Sequence, residues 1–271
     1  MFQNTVQKPK QRSPFRKWAA KEYFILKRRW HWLFAGKKYA SEKKSERLAH
    51  SVITHQSFLL RQLKNVDMYL QHNKTENLRL AIGKVNGIVL RPNETLSLWK
   101  LIGRPTKSKG YKDGLVLSNG TIGKGTGGGL CQLGNLLYWM TLHTPLTVVE
   151  RWRHSYDVFP DVGRKIPFGS GATLSYNYID LQLKNETENT FQIMLWLDDE
   201  HLHGEILSEK KVSTHYEVFE KEHFFKQQWW GGYTRHNKIM RTAKQADTGA
   251  EMEELVTENH AIMMYNPMLE G

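Results

Sequence analysis

Residues 123–139 read GKGTGGGLCQLGNLLYW, and the fold hangs on how this stretch is read. Glycines at 123, 125, 127, 128 and 129 leave five positions without a Cβ, where the backbone can take positive φ or approach another group closely. Irregular backbone is therefore expected across the run. Directly after it, Leu133, Leu136, Leu137 and Met140 fall at i, i+3, i+4 and i+7, one apolar face of a helix. Cys131, the single cysteine, is thereby placed in the first turn, where unpaired N–H groups and the positive end of the helix dipole favour thiolate. A cysteine is equally a small buried hydrophobe, so two readings start here: nucleophile or core.

The 271 residues suffice for one large domain, or one domain with an appendage. One cysteine excludes an internal disulfide and a cysteine-clustered zinc site, which suits a reducing compartment. A net charge of +12 first suggests nucleic acid or an anionic surface. Residues 1–50, however, hold fourteen Lys and Arg against three Glu, so +11 of the charge sits there and the other 221 residues carry +1. The charge is an N-terminal matter. With no nucleic-acid motif beside it, nucleic acid ranks last among partners.

Residues 1–14 show no apolar h-region and no small-residue cleavage site, so no secretory signal is expected and the cytoplasm is the expected compartment. Over residues 15–34, Ala19, Tyr23, Leu26, Trp30 and Leu33 mark a helical stripe among basic residues. Its charges forbid a bilayer span; it either packs on the body with its basic face in water or lies on an anionic membrane surface at the inner face. A long helix is expected from Ser45 to about Ile82, with a break near 72–77. His31, His50, His55 and His72 on these helices lack carboxylates at ligand spacing, and no metal or cofactor is expected.

From Gly83 onward the pattern is β-like. Val85–Leu90, Leu96–Trp99, Tyr111–Gly120, Thr147–Ser155, Ala172–Asn177, Ile179–Asn185 and Phe191–Leu197 read as extended pieces, the last two as a hairpin. Strands at 203–207 and 212–219 continue the same antiparallel sheet, and the last fifty residues read as a partly extended tail packing back. Strand, glycine loop and helix can cradle phosphate, but Leu130-Cys131-Gln132 stands where a P-loop needs GK[ST], and Gly125, Gly127 and Gly128 miss the G-x-G-x-x-G spacing. The expected class is α+β: N-terminal helices, then a mixed, largely antiparallel sheet around a central cysteine-bearing helix. The expected division is a basic helical region 1–76, a main domain 77–220 and an extension 221–271.

A nucleophilic Cys131 needs a base and an orienting group. His154 follows on the next strand and Asp180 on a later one, with Asp157 and Asp161 as competitors. Cysteine on a helix start, then histidine, then a polar residue is also the chain order of papain-like thiol hydrolases, an analogy of arrangement only. The binding alternative uses the same region without bond-making. Gly127, Gly128 and Gly129 would offer N–H groups to a carboxylate beside Gln132, Arg151 and Arg153 would pair with it, and Trp139 and Trp152 would stack.

The segments NLRLAIGKVNGIVLRPNETLSLWKLIG, KGYKDGLVLSNG, GTGGGLCQLGNLLYW, VVERWRHS and IDLQLKN together resemble the VanW family, over about Asn77 to Asn185. The family takes its name from an accessory protein of B-type vancomycin resistance clusters. The resemblance implies a bacterial protein connected with the cell envelope or the glycopeptide response, and a cell-wall-related small molecule or peptide as partner. It implies no particular reaction. Many members carry Gly-Arg-Asp-Ala between the histidine motif and the aspartate strand, where this chain has Gly163-Arg164-Lys165, leaving Asp180 as the acidic candidate. A thiol-dependent hydrolase or acyltransferase and a non-catalytic binding protein both remain open.

Overall fold

The computed structural model describes residues 13–60, 67–118, 120–158, 160 and 166–268. In chain order it holds α1 (Pro14–Phe34), β1 (His50–Phe58), α2 (Met68–Val85), β2 (Ile88–Leu90), β3 (Thr95–Ser97) and α3 (Leu98–Ile102). Then come β4 (Asp113–Ser118), β5 (Thr121–Thr126), α4 (Cys131–Leu142), β6 (Thr147–Glu150), β7 (Tyr156–Asp157) and β8 (Gln182–Lys184). The strands β9 (Phe191–Leu197), β10 (His201–Ser208), β11 (Thr214–Gln227), β12 (Tyr233–Gln245) and β13 (Glu251–Met263) close the chain. The class is α+β. The sheets run β1-β10-β9-β2, β3-β8-β6, β4-β5 and β11-β12-β13-β7; pairing is antiparallel except between β13 and β7.

The cysteine helix forms where its pattern places it, and Leu133, Leu136, Leu137 and Met140 are all buried. It lies across β10 at Gly204, where a Cβ would come within 2.6 Å of Met140 Cε and 2.8 Å of Leu136 Cδ2. That close approach needs glycine and fixes the height of the helix over the sheet. Leu78, Ala81 and Val85 of α2, Ile88 and Leu90 of β2, and Phe191 and Ile193 of β9 complete this core.

Several expectations are corrected. Residues 50–58 are a strand: Val52, Ile53 and Thr54 are β-branched, and β1 pairs with β10 from His50↔Ser208 to Phe58↔His201. The apolar spacing of 3 and 4 there is fortuitous, while Leu63 and Val66 of the expected helix lie outside the described residues. No break interrupts α2 at 72–77, because its polar residues are used inward: Gln71 and Asn77 are buried, and Asn77 bonds the chain at 112 and 128. Residues 172–177 make no strand; Ala172 is held by Asn135 and Thr173 by the Trp152 carbonyl.

A further correction concerns pairing. β8 and β9 do not form a hairpin, since β8 joins β3 and β6 whereas β9 joins β2 and β10. Asn185 makes the switch: its amide donates to Leu90 O at 3.0 Å and Asn189 O at 2.7 Å, turning the chain from one sheet into the other. β11 runs on to Gln227 and pairs with β12 rather than continuing the β9–β10 sheet, so the extended C-terminal segment is a three-stranded antiparallel sheet up to Met263. Gly123 and Gly125 likewise sit inside β5, paired with Val116 and Gly114 of β4, so the glycine run is regular strand up to Thr126.

Candidate functional site

The turn Gly127–Gly129 leads into α4. Gly127 and Gly129 have φ of +77° and +91°, and a Cβ on Gly128 would overlap the backbone of Gly114. Asn77, fully buried, holds the turn from beneath: its amide donates to Gly128 O at 2.9 Å and Lys112 O at 3.0 Å, and its oxygen accepts from Lys112 N at 2.8 Å. The N–H groups of Gly127 and Gly128 donate to Lys112 O and Gly125 O. Two of the three donors expected to face a ligand are thus spent inside the loop. Gln132 is spent as well, donating to Ser57 Oγ at 2.9 Å and Phe58 O at 2.8 Å and tying α4 to β1.

Cys131 opens α4 as expected, but its thiol turns to the segment 172–174. Sγ accepts from Leu174 N at 3.4 Å and the thiol donates to Leu174 O at 3.7 Å. Burial pushes its pKa up, outweighing the opposing effect of the Leu174 and Cys131 N–H groups. Desolvation thus opposes the thiolate-favouring effect expected of a helix start. Asp180 is fully buried, accepting from Ser97 Oγ at 2.6 Å, Trp99 N at 3.1 Å and Leu181 N at 2.9 Å, with its pKa raised by burial to about 6. It caps the β3–α3 corner. No hydrogen bond joins any two of Cys131, His154 and Asp180, so they form no relay in this structure.

Arg151 and Arg153 turn to backbone. Arg151 donates to Gly171 O at 2.8 Å and to Gly169 O, with its guanidinium 4.6 Å over the Tyr138 ring. Arg153 donates to His260 O and lies 5.2 Å over Phe168; burial lowers its pKa to about 10, which leaves it cationic at neutral pH. Trp139 packs edge-on against His143, centroids 4.9 Å apart, while Trp152 is exposed. Of the competing aspartates, Asp157 pairs with Arg235 at 3.3 Å and accepts from Tyr265 at 2.9 Å; Asp161 and Gly163-Arg164-Lys165 lie outside the described residues.

Two of the expected site residues do meet at a cavity. Arg153 and His154 line a space of about 190 Å³ together with Leu117, Tyr156, Thr173 and Ile179. His154 makes no hydrogen bond among the described residues, and burial and the neighbouring Arg153 lower its pKa, so it presents a neutral imidazole. Thr173 lies on the wall and Leu174, which holds Cys131, directly follows it, so the thiol sits behind that wall.

The family model for VanW like protein matches residues 73–207, which covers β2 to β10 and most of α2. The chain belongs to the VanW family. It is 41% identical over 152 residues to the vancomycin B-type resistance protein VanW of Enterococcus faecalis, covering 56% of this chain and 55% of that one. It is 30% identical over 114 residues to the uncharacterized protein YoaR of Bacillus subtilis, covering 42% of this chain and 36% of that one. The chain thus spans about half the length of the first relative and about a third of the second. No solved structure matches.

Within this VanW domain the sequence reading passed over two features. Asn77 was read as part of a turn, though a buried amide between two glycine-rich segments is what the loop needs for support. The other is Asp198-x-x-His201-x-His203, whose side chains gather at the β9–β10 turn. The signal is present in the spacing, and the antiparallel pairing of β9 with β10 brings the three side chains together.

Proposed function

We propose that this chain is a recognition protein of the glycopeptide response, holding a small anionic, cell-wall-related ligand at the Arg153 and His154 cavity without forming a covalent intermediate. The observation that carries the role is the 41% identity over 152 residues to a vancomycin resistance protein. The site reading is supported by a cation and an unpartnered neutral imidazole on one small cavity, which suit a carboxylate: Arg153 supplies charge and His154 one directional hydrogen bond. Against nucleophilic chemistry stand the raised thiol pKa and the engagement of Asp180 at another corner. Calorimetric titration with a stem peptide bearing a free terminal carboxylate tests this. Binding lost on amidating the peptide and on Arg153→Ala supports it; equal binding of the amide, or none of the acid, refutes it.

We further propose that α1 docks on an anionic membrane surface at the inner face. Only Ile25 of the helix is buried, while Phe15, Leu26, Trp30 and Leu33 on one stripe are 62–74% exposed. Arg28 anchors the other side to Glu150, and Arg16, Lys27 and Arg29 flank the apolar stripe. No helix among the described residues is long and apolar enough to cross a membrane. Co-sedimentation with anionic but not neutral vesicles, weakened by salt and by Trp30→Ala with Leu33→Ala, is the expected result; equal or absent binding overturns it.

A further inference from the structure

The β9–β10 turn gathers three metal-ligating side chains, none of which lines the Arg153 and His154 cavity. Asp198 shapes the turn: its backbone N–H donates to His201 O at 3.1 Å, and its Oδ1 accepts from the N–H groups of Glu200 at 2.8 Å and His201 at 2.6 Å. His201 and His203 are two apart on β10 and so share a face of the sheet. Each ring is braced by an aromatic neighbour. His203 lies parallel to Trp196, its cross-strand partner, at 5.0 Å, and His201 packs on Phe58, its partner on β1, at 4.5 Å. Leu59 N donates to Glu200 O at 2.7 Å, which fastens the turn to the end of β1.

One ligand atom from each of Asp198, His201 and His203 lies within 4.8 Å of the other two. Asp198 Oδ2 is 2.5 Å from His203 Nε2, and Asp198 Oδ1 is 3.9 Å from His201 Nδ1. Metal–ligand bonds of about 2.0 to 2.1 Å place neighbouring atoms of a tetrahedral zinc site roughly 3.3 Å apart. The two separations bracket that value. The imidazoles are 14% and 15% exposed and the carboxylate 51%, so the rings are held, while Oδ1 stays bound to the turn and Oδ2 is the carboxylate oxygen left for a metal.

We propose that Asp198, His201 and His203 form a binding site for a divalent transition metal of the zinc class. Two imidazoles and one carboxylate suit zinc, cobalt or nickel, where calcium and magnesium want oxygen ligands alone. The metal takes the place of the Asp198–His203 hydrogen bond, and the neutral His203 ring then carries its proton on Nδ1. Three protein ligands leave a coordination position open to water or a bound group. Asp198 also lines a second cavity of about 410 Å³, with His72, Arg79 and Lys112 on its walls, and none of that lining is shared with the Arg153 and His154 cavity. A metal here would therefore stand at the edge of a polar space lined by charges of both signs, Glu76 and Asp199 as well as Arg79 and Lys112, and sharing no lining with the carboxylate site.

The test uses the full chain, treated with chelator and titrated with Zn²⁺ by calorimetry and with Co²⁺ by visible absorption. One equivalent bound, with Co²⁺ bands of tetrahedral intensity, is expected. His203→Gln keeps a hydrogen-bond donor beside Asp198 and guards against loss of fold, and His201→Ala removes the second ring. Each should weaken binding at least tenfold with unchanged circular dichroism, whereas His215→Ala, an exposed histidine elsewhere, should leave it unaltered. Absence of stoichiometric binding by the parent chain overturns the site. So does binding that survives both His203→Gln and His201→Ala.

Discussion

Two sides of the segment 172–174 use their polar groups in opposite ways. On the α4 side the groups are consumed by the fold: Asn77 makes three bonds to backbone, the Gly127 and Gly128 N–H groups are taken, and the Cys131 thiol is matched to Leu174. On the β7 side, Arg153 and the unbonded imidazole of His154 border a cavity. The comparison teaches that a glycine-rich loop and a lone cysteine can signal close packing as readily as chemistry. The side chains with spare bonding capacity lie one strand further on.

The sharpest way to break that contrast is to crowd the packed side. Gly128→Val should abolish folding or remove more than about 4 kcal/mol, because the new side chain would overlap the Gly114 backbone; a near-normal urea midpoint would show that the loop is not close-packed. Asn77→Ala should cost about 3 kcal/mol in the same measurement, since it strands Gly128 O and Lys112 N in a buried place and leaves Lys112 O with the Gly127 N–H alone.

Asp180 offers a test with a definite sign. Its folded pKa of about 6 lies above the unfolded value of about 3.9, so between these pH values the folded state binds more protons and Asp180's contribution to stability falls as pH rises. The expected cost over the window is on the order of 3 kcal/mol. Carboxyl carbon shifts followed by NMR should place its midpoint near 6, and a midpoint near 4 would mean a solvated group. On the open side the effect on stability is smallest. His154→Ala should change it by less than about 1 kcal/mol while reducing carboxylate-peptide binding at least tenfold, since no hydrogen bond is lost with the ring.

Much of the scaffold was legible in the sequence. The period-3.6 face of α4, the stripe of α1 and most of the strand-forming runs after Gly83 follow from local pattern, and those elements formed, residues 172–177 excepted. What escaped depends on partners far along the chain. β1 has apolar spacing that also fits a helix, and its pairing with β10 decides the matter across about 150 residues. The sheet switch at Asn185 rests on a bond to Leu90, 95 residues away. The thiol environment rests on Leu174, 43 residues from Cys131, so a helix-start argument that sees only neighbours gave the opposite pKa direction.

The central claim is that Cys131 belongs to the packed side, and because it is the single cysteine its reactivity can be read without interference. The most direct measurement is the alkylation rate of the native chain as a function of pH, set beside a free model thiol. The account predicts a rate slower than the model thiol at neutral pH, rising only above the ordinary thiol range of about 8.5. A rate faster than the model thiol, with a midpoint below that range, would contradict it and return Cys131 to the reactive site.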